Sequence, residues 1–159
     1  LIPIDAISVS RISHPRDRFY VGQDIFAVVS SKDENSRITL SHKELLGTWA
    51  QNASLFSPGQ TVAGIVRSVE DYGIFVELAP NLAGLAEPHP DVKAGQHASV
   101  YIKNIIPEKM KVKLIIVDAF DAEYEPKPLK YTQTSGKIDV FRYSPKESQK
   151  VIESVFKGF

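Results

Sequence analysis

The sequence predicts an all-β protein organised around one small barrel. Apolar and polar residues alternate on both sides of a Tyr-Gly pair at positions 72 and 73, with the period of a half-buried strand. Further runs of this kind follow along the chain, separated by Gly- and Pro-containing turns. No apolar run reaches the length of a membrane span. We therefore expect short paired strands, and not helices, to build the core.

The central unit, residues 56–118, supplies the strands of this barrel. Alternation predicts four strands, at positions 61–69, 73–78, 97–106 and 111–117. A fifth is expected from the region between the turns at Gly84-Leu85 and at Ala94-Gly95-Gln96. Five short strands are the number found in an oligonucleotide-binding (OB) barrel.

The first 55 residues contain an incomplete copy of the same landmarks. Strands are predicted at 24–30 and 36–40, which pair as a hairpin. A Gly-Gln turn at position 22 recurs at position 95, and the run Arg37-Ile38-Thr39-Leu40 recurs at Lys111, in both cases about 73 residues later. We interpret residues 1–55 as the second half of a repeat whose sheet edge is left unpaired. The chain begins without Met, so we expect a fragment or a processed product.

Two capping boxes predict helices outside the barrel. Ser41 with Glu44 predicts a short connecting helix that packs Trp49 against a barrel. Residues 119–159 form a third segment, in which 121–130 is expected to be an extended linker and 131–143 a hairpin. The second box begins at Ser144 and predicts a C-terminal helix. Its apolar stripe consists of Val151, Ile152, Val155 and Phe156.

Composition limits the chemistry that this chain can perform. There is no cysteine, which excludes disulfides and thiolate metal sites, and the four histidines have no metal-ligand spacing. No phosphate-binding Gly-rich loop or nucleophile elbow is present. We therefore expect no enzyme activity, no metal and no cofactor. The net charge is zero, so nucleic-acid binding would require a local basic face.

The central unit resembles the S1 RNA-binding domain, a five-stranded OB barrel. The motifs that carry the resemblance are the turn at Gly59, Gly64-Ile65-Val66, Tyr72-Gly73-Ile74-Phe75-Val76, Gly84-Leu85, Val92-Lys93-Ala94-Gly95-Gln96 and Lys111-Val112-Lys113-Leu114. The first segment resembles the second half of another S1 domain. Tandem domains of this kind resemble those of bacterial ribosomal protein S1 and its shorter homologues.

The resemblance implies specific RNA-contacting residues. Tyr72 and Phe75 match the two aromatic residues that stack on bases, and Asp33 with Arg37 match a polar pair of the last hairpin. The chain departs from the family at two positions. Glu87 stands where a histidine is usual, and Pro107 stands where an Asp is usual, with Lys111 in place of the Arg.

Physical reasoning supports two kinds of RNA contact in the central unit. Exposed aromatic rings stack on bases with little sequence preference, although Phe75 could equally be a core residue, because strict alternation puts it on the other face from Tyr72. The second kind of contact would come from five basic residues: Arg67, Lys103, Lys109, Lys111 and Lys113. They form either a basic stripe suited to phosphate contacts or an ordinary solvated face.

The predicted function is binding of single-stranded RNA without catalysis. The resemblance implies a cytoplasmic protein of translation, with mRNA and the ribosome as partners and no membrane association. An accessory S1 module of a larger RNA-processing or transcription protein is the alternative, as is a protein-docking barrel that has lost RNA binding. The sequence does not determine the oligomeric state.

Overall fold

The computed structural model describes residues 1–122 and 128–156, and strands dominate it. The strands are β1 (Val28–Lys32), β2 (Ile38–Ser41), β3 (Thr61–Glu70), β4 (Gly73–Ala79), β5 (Leu82–Ala86), β6 (His97–Ile106), β7 (Lys111–Phe120), β8 (Val140–Arg142) and β9 (Glu153–Val155). The α-helix α1 spans Trp49–Ala53. Short 3₁₀ turns lie at Ile4–Ala6, Pro15–Asp17, Lys43–Leu46 and Pro107–Lys109. The predicted all-β class is confirmed.

Strands β3 to β7 form a closed barrel in the order β3-β4-β5-β7-β6. Neighbouring strands are antiparallel except β5 and β7, which run parallel and align Leu85 with Lys113. Every second residue of these strands points inward, because side chains alternate between the two faces of a strand. The fully enclosed core side chains include Val66, Ile74, Val76, Leu82, Val100, Ile102, Val112 and Leu114. The five-stranded OB barrel is therefore confirmed, but Gly84-Leu85, predicted as a turn, lies inside β5, and among the described residues no strand follows it before β6.

Gly84 allows β5 to approach β7 closely. A Cβ atom on this residue would lie 2.6 Å from the Cδ1 atom of Leu114 and 2.9 Å from the backbone oxygen of Val112. Both distances are shorter than real Cβ contacts, so a side chain would push the two strands apart. A glycine at position 84 is thus needed for the close approach of β5 to β7.

The segment before the barrel contains the predicted hairpin, but its connecting helix differs from the prediction. The Ser41 hydroxyl does donate a hydrogen bond to the Glu44 carboxylate. However, only a 3₁₀ turn follows, and it ends at Gly47, whose φ of 95° is not helical. The α-helix starts later, where Thr48 and Gln51 form the capping box. Trp49 is buried in the barrel core, as predicted.

Asn81, in the turn between β4 and β5, joins the N-terminal segment to the barrel. Its fully buried side chain donates to the backbone oxygens of Lys43 (2.8 Å) and Gly47 (2.9 Å) and accepts from the backbone N–H of Val9 (2.9 Å). Its own backbone oxygen accepts the Tyr143 hydroxyl. One residue therefore ties segments from both ends of the chain to the barrel.

The C-terminal helix predicted from Ser144 is wrong. The Ser144 hydroxyl accepts a hydrogen bond from the backbone N–H of Ile152 (3.0 Å), which closes a loop in place of capping a helix. The backbone N–H of Tyr143 donates to the oxygen of Ile152 (2.8 Å), and its ring enters the core. These tertiary contacts outweigh the local capping signal.

The hairpin predicted over 131–143 is also wrong, because β8 pairs with the distant β9 and not with a strand before it. The predicted linker is described only at 121–122 and 128–130, and residues 123–127 and 157–159 lie outside the described part of the chain. The division into units 1–55, 56–118 and 119–159 stays a prediction.

The Gly-Gln turns of the two units have the same geometry. Gly22 and Gly95 have φ values of 90° and 93°. The side-chain oxygen of Gln23 accepts from the backbone N–H three residues earlier (3.1 Å), and that of Gln96 does the same (2.9 Å). This likeness agrees with the predicted repeat, which remains an interpretation of the sequence.

In the two described ranges, no helix is both long enough and apolar enough to cross a membrane.

Candidate nucleic-acid interface

Two aromatic rings stand together at the tight turn between β3 and β4. The turn residues Asp71 and Tyr72 separate Glu70 from its partner Gly73. Tyr72 is 65% exposed, and its ring centroid lies 6.1 Å from that of Phe75, with the rings at 83°. Ile74 points into the core and is fully buried, so its neighbour Phe75 faces outward. The turn brings the two predicted stacking residues to one surface, and Phe75 is half-buried outside the core.

Both rings line a groove of about 440 Å³ that runs over β5 and the start of β7. Its floor is apolar and includes Leu85, Met110 and Val112. Three of the predicted cationic residues border it, namely Lys103, Lys111 and Lys113. Lys111 and Lys113 are exposed on the outer face of β7, whereas Val112 and Leu114 point into the barrel core. We call this the β5–β7 groove.

One carboxylate also borders the β5–β7 groove. Glu87, just after β5, forms an ion pair with Lys103 at 3.2 Å between Oε1 and Nζ. The two side chains are 64% and 53% exposed respectively. Water screens a pair of this kind, and its contribution to stability is about 0–1 kcal/mol. Sequence reasoning treated Glu87 only as a missing histidine and did not find its partner.

Arg67, predicted as a phosphate contact, lies elsewhere. Its side chain is only 12% exposed and donates to the Glu77 carboxylate at 2.9 Å. Arg18 of the N-terminal segment pairs with the same carboxylate. A register shift between Val66 and Ser68 places Arg67 at a bulge, which redirects its side chain. The guanidinium is therefore used to join the N-terminal segment to the barrel. A carboxylate at position 77, between two apolar residues of a strand, was the sequence signal for such a partner.

Asp33 and Arg37 lie in the turn between β1 and β2 and do not line the groove. The Asp33 carboxylate accepts from the backbone N–H groups of Asn35 (2.9 Å) and Arg37 (2.8 Å). This arrangement is that of an Asx turn, so the aspartate shapes the hairpin. The Arg37 residue is exposed at the same tip. The structure thus separates the predicted contacts into two surfaces.

His42 is a buried titratable group of the N-terminal segment. Its Nδ1 contacts the backbone oxygen of Ile7 (2.7 Å), and its Nε2 contacts the Tyr131 hydroxyl (2.8 Å). Burial lowers the pKa of His42 below its usual 6.5, an effect that outweighs the hydrogen bond to Ile7 and that the nearby Arg18 charge reinforces. Burial also disfavours the charged form of the Tyr143 hydroxyl and therefore raises its pKa. Both groups hold the fold and lie away from the groove.

Within the described residues, no cluster of three His, Cys, Asp or Glu side chains could hold a metal ion. The exposed His89 contacts the oxygen of its neighbour Pro90 (2.7 Å) and does not take the place of the histidine that Glu87 replaces. The side chains that line the groove can supply stacking, charge attraction and hydrogen bonding.

Comparison with known proteins found several bacterial ribosomal proteins. The chain is 30% identical over 127 residues to the small ribosomal subunit protein bS1 homolog of Bacillus subtilis, which covers 72% of this chain and 33% of that protein. It is 27% identical over 157 residues to bS1 of Staphylococcus aureus, which covers 97% of this chain and 39% of that protein. The chain thus spans about a third of the length of these relatives. No family model matches it.

A match of a different kind is to an enzyme. The chain is 35% identical over 119 residues to the 4-hydroxy-3-methylbut-2-enyl diphosphate reductase of Fusobacterium nucleatum. The aligned region covers 74% of this chain but only 14% of that protein.

The bS1 matches and the five-stranded barrel agree with each other. Together they confirm the resemblance of this chain to S1-domain proteins.

Proposed function

We propose that this chain binds single-stranded RNA in the β5–β7 groove and catalyses no reaction. One observation carries the proposal: the exposed ring of Tyr72 stands 6.1 Å from Phe75 at the edge of an apolar groove bordered by three lysines. An exposed ring beside a second, half-buried ring offers a surface for stacking, and the neighbouring lysines can contact the phosphates of a bound strand. The similarity to bS1 proteins supports the same conclusion.

Stacking supplies the first part of the binding free energy. A base on an aromatic side chain contributes about 1–3 kcal/mol, and the contribution depends little on which base is bound. Tyr72 is exposed and offers its ring without prior rearrangement, whereas Phe75 is partly covered and packs beside the Tyr72 ring. Tyr72 is therefore the larger contributor.

Charge attraction supplies the second part and makes it dependent on salt. Lys111 and Lys113 point to the same side of β7 and can contact successive phosphates. The net charge of the chain is zero, so long-range attraction adds little and the chain alone binds weakly. Other RNA-binding domains on the same polypeptide would raise affinity through effective concentration.

The cellular role that fits this activity is in translation. The relatives named small ribosomal subunit protein bS1 suggest mRNA as the ligand, the ribosome as a partner and the cytoplasm as the location. These relatives are about three times as long as the matched region, so the role concerns a longer protein of which this chain would be a part.

An accessory module of a larger protein is the second candidate. It is favoured by the match to 14% of the Fusobacterium nucleatum reductase, where a similar segment occurs in a chain named for an enzyme. Co-sedimentation separates the two roles. A translational protein should pellet with ribosomes in an mRNA-dependent manner, whereas a module of another assembly should stay in the supernatant although it binds RNA.

Binding of a short unstructured RNA, followed by fluorescence anisotropy, tests the proposal. We expect Tyr72→Ala to weaken binding about tenfold, since the loss of one stacked base costs about 1–3 kcal/mol. Tyr20→Ala is the matched control, because Tyr20 is exposed to a similar degree but belongs to the N-terminal segment. Equal affinities of the two variants would contradict the proposal, as would an absence of wild-type binding at low salt.

A further inference from the structure

The position of Glu87 raises a question that phosphate binding does not answer. Its carboxylate borders the same groove as Tyr72, Phe75 and the lysines. A negative charge there opposes the phosphates that the lysines attract. A carboxylate beside a stacking platform is, however, well suited to accept hydrogen bonds from a base.

The ion pair between Glu87 and Lys103 can exchange partners at little cost. The pair is exposed, with 3.2 Å between Nζ and Oε1, so water screens it and breaking it costs little stability. A carboxylate only accepts hydrogen bonds, and an ammonium group only donates them. The pair therefore presents two acceptor oxygens and a donor side by side at the edge of the groove.

We propose that Glu87 and Lys103 read the Watson–Crick edge of a guanine whose ring stacks on the exposed Tyr72, so that the groove prefers guanine to the other bases. This inference rests on the proposed RNA-binding function. Guanine carries two adjacent donors, N1–H and the N2 amino group, and one acceptor, O6. The Glu87 carboxylate accepts from both donors as a two-point contact, and the Lys103 ammonium donates to O6.

The other bases match this pattern less well. Adenine offers one donor, its N6 amino group, and its N1 acceptor faces a carboxylate oxygen. Uracil has a single N–H between two carbonyl oxygens, and cytosine has one amino donor beside two acceptors. Each therefore loses one of the two bonds to the carboxylate. Good two-point contacts discriminate between bases strongly, and sequence-specific RNA recognition commonly uses this edge of unpaired bases.

The groove itself favours such reading. A volume of about 440 Å³ is in the range of sites that enclose a small ligand, about 300–1,000 Å³. Leu85 and Met110 form part of an apolar floor, which excludes water from one side of a bound base.

Affinities for RNAs that differ at one base test the inference. A short strand of A and U is compared with the same strand carrying a single guanosine, and with one carrying inosine, which lacks the N2 amino group. We expect the guanosine strand to bind about tenfold tighter than the A and U strand, with inosine between them. Glu87→Gln should reduce the guanosine preference to within about twofold, since an amide offers one acceptor oxygen in place of two. Glu70→Gln makes the same charge change on an exposed residue outside the groove and should preserve the preference.

The outcomes separate this inference from the function on which it rests. If all strands bind equally well, or if Glu87→Gln keeps the guanosine preference, the inference is overturned. Weaker binding of every strand by Tyr72→Ala would then still support RNA binding in the groove. If Tyr72→Ala also leaves the affinities unchanged, both proposals fail. Loss of the preference in Glu70→Gln as well would likewise contradict base reading by Glu87, because the effect would follow the net charge.

Discussion

Replacing Asn81 by alanine is expected to loosen the N-terminal segment from the barrel. The side chain is fully buried and makes three hydrogen bonds to backbone groups of residues 9, 43 and 47. Alanine removes all three bonds and leaves two carbonyl groups and one N–H in a space from which water is largely excluded. The change should therefore act on the joint between segments and leave the β5–β7 groove in place.

The expected loss of stability follows from these bonds. A hydrogen bond contributes about 0.5–1.5 kcal/mol net, and a buried group left without a partner costs about 1–3 kcal/mol. Water that enters the new space would satisfy part of this need. We expect the free energy of unfolding to fall by about 3 kcal/mol in Asn81→Ala.

Urea unfolding, followed by fluorescence, measures this change. Trp49 is the only tryptophan of the chain and is buried in the core beside the joint, so its emission reports directly on this region. Asn104→Ala is the matched control, because Asn104 is exposed on β6 and its side chain accepts a hydrogen bond from the backbone N–H of the next residue in the chain. The control should change stability by less than about 0.5 kcal/mol.

A result below about 1 kcal/mol for Asn81→Ala would refute the reasoning, because the three bonds would then not hold the N-terminal segment to the barrel. A reduced dependence on urea, or two separate transitions, would support it further. Either behaviour would mean that one segment unfolds before the barrel.

Three further predictions concern the groove, the barrel and the effect of pH. The double variant Lys111→Ala with Lys113→Ala should reduce the steepness of log affinity against log salt by about 1.4, since each phosphate contact on a single strand contributes about 0.7. The control double variant Lys146→Ala with Lys150→Ala lies outside the groove and should leave the steepness unchanged. Gly84→Ala should cost about 1–3 kcal/mol of unfolding free energy in urea melts, because its Cβ would clash with the backbone of β7, and a change within experimental error would show that β5 can shift freely. Because the pKa of His42 is lowered by folding, the unfolded chain binds more protons below pH 6.5, so stability should be complete above that pH and fall as the pH decreases below it. His42→Gln should lose this pH dependence, whereas His89→Gln at an exposed position should keep it.

The barrel could be predicted from the sequence because its signals are local. Alternation predicted strands close to the observed β3, β4, β6 and β7, whereas the Gly84-Leu85 pair, predicted as a turn, lies inside β5. The C-terminal segment could not be predicted in this way. Ser144 has the composition of a helix cap, but long-range bonds to Ile152 and the burial of Tyr143 determine its structure. A pattern that is read along the chain does not contain these contacts.

The candidate site was predicted in part, for a similar reason. Tyr72 and Phe75 were found because a turn of two residues brings them together, and this turn is visible in the sequence. The position of Arg67 outside the groove could not be read from the sequence, because a bulge and the distant carboxylate of Glu77 decide where its side chain points. The pairing of Glu87 with Lys103 depends on the arrangement of β5 and β6 across the barrel, which only the structure provides.

Photo-crosslinking of a short RNA that carries a reactive uridine analogue, followed by mapping of the modified peptide, tests the central claim most directly. If RNA binds in the β5–β7 groove, the crosslinks should fall on Tyr72 or Phe75 and should disappear in Tyr72→Ala. Crosslinks concentrated instead on the hairpin tip at Asp33 and Arg37 would contradict the account and place the RNA-binding surface in the N-terminal segment.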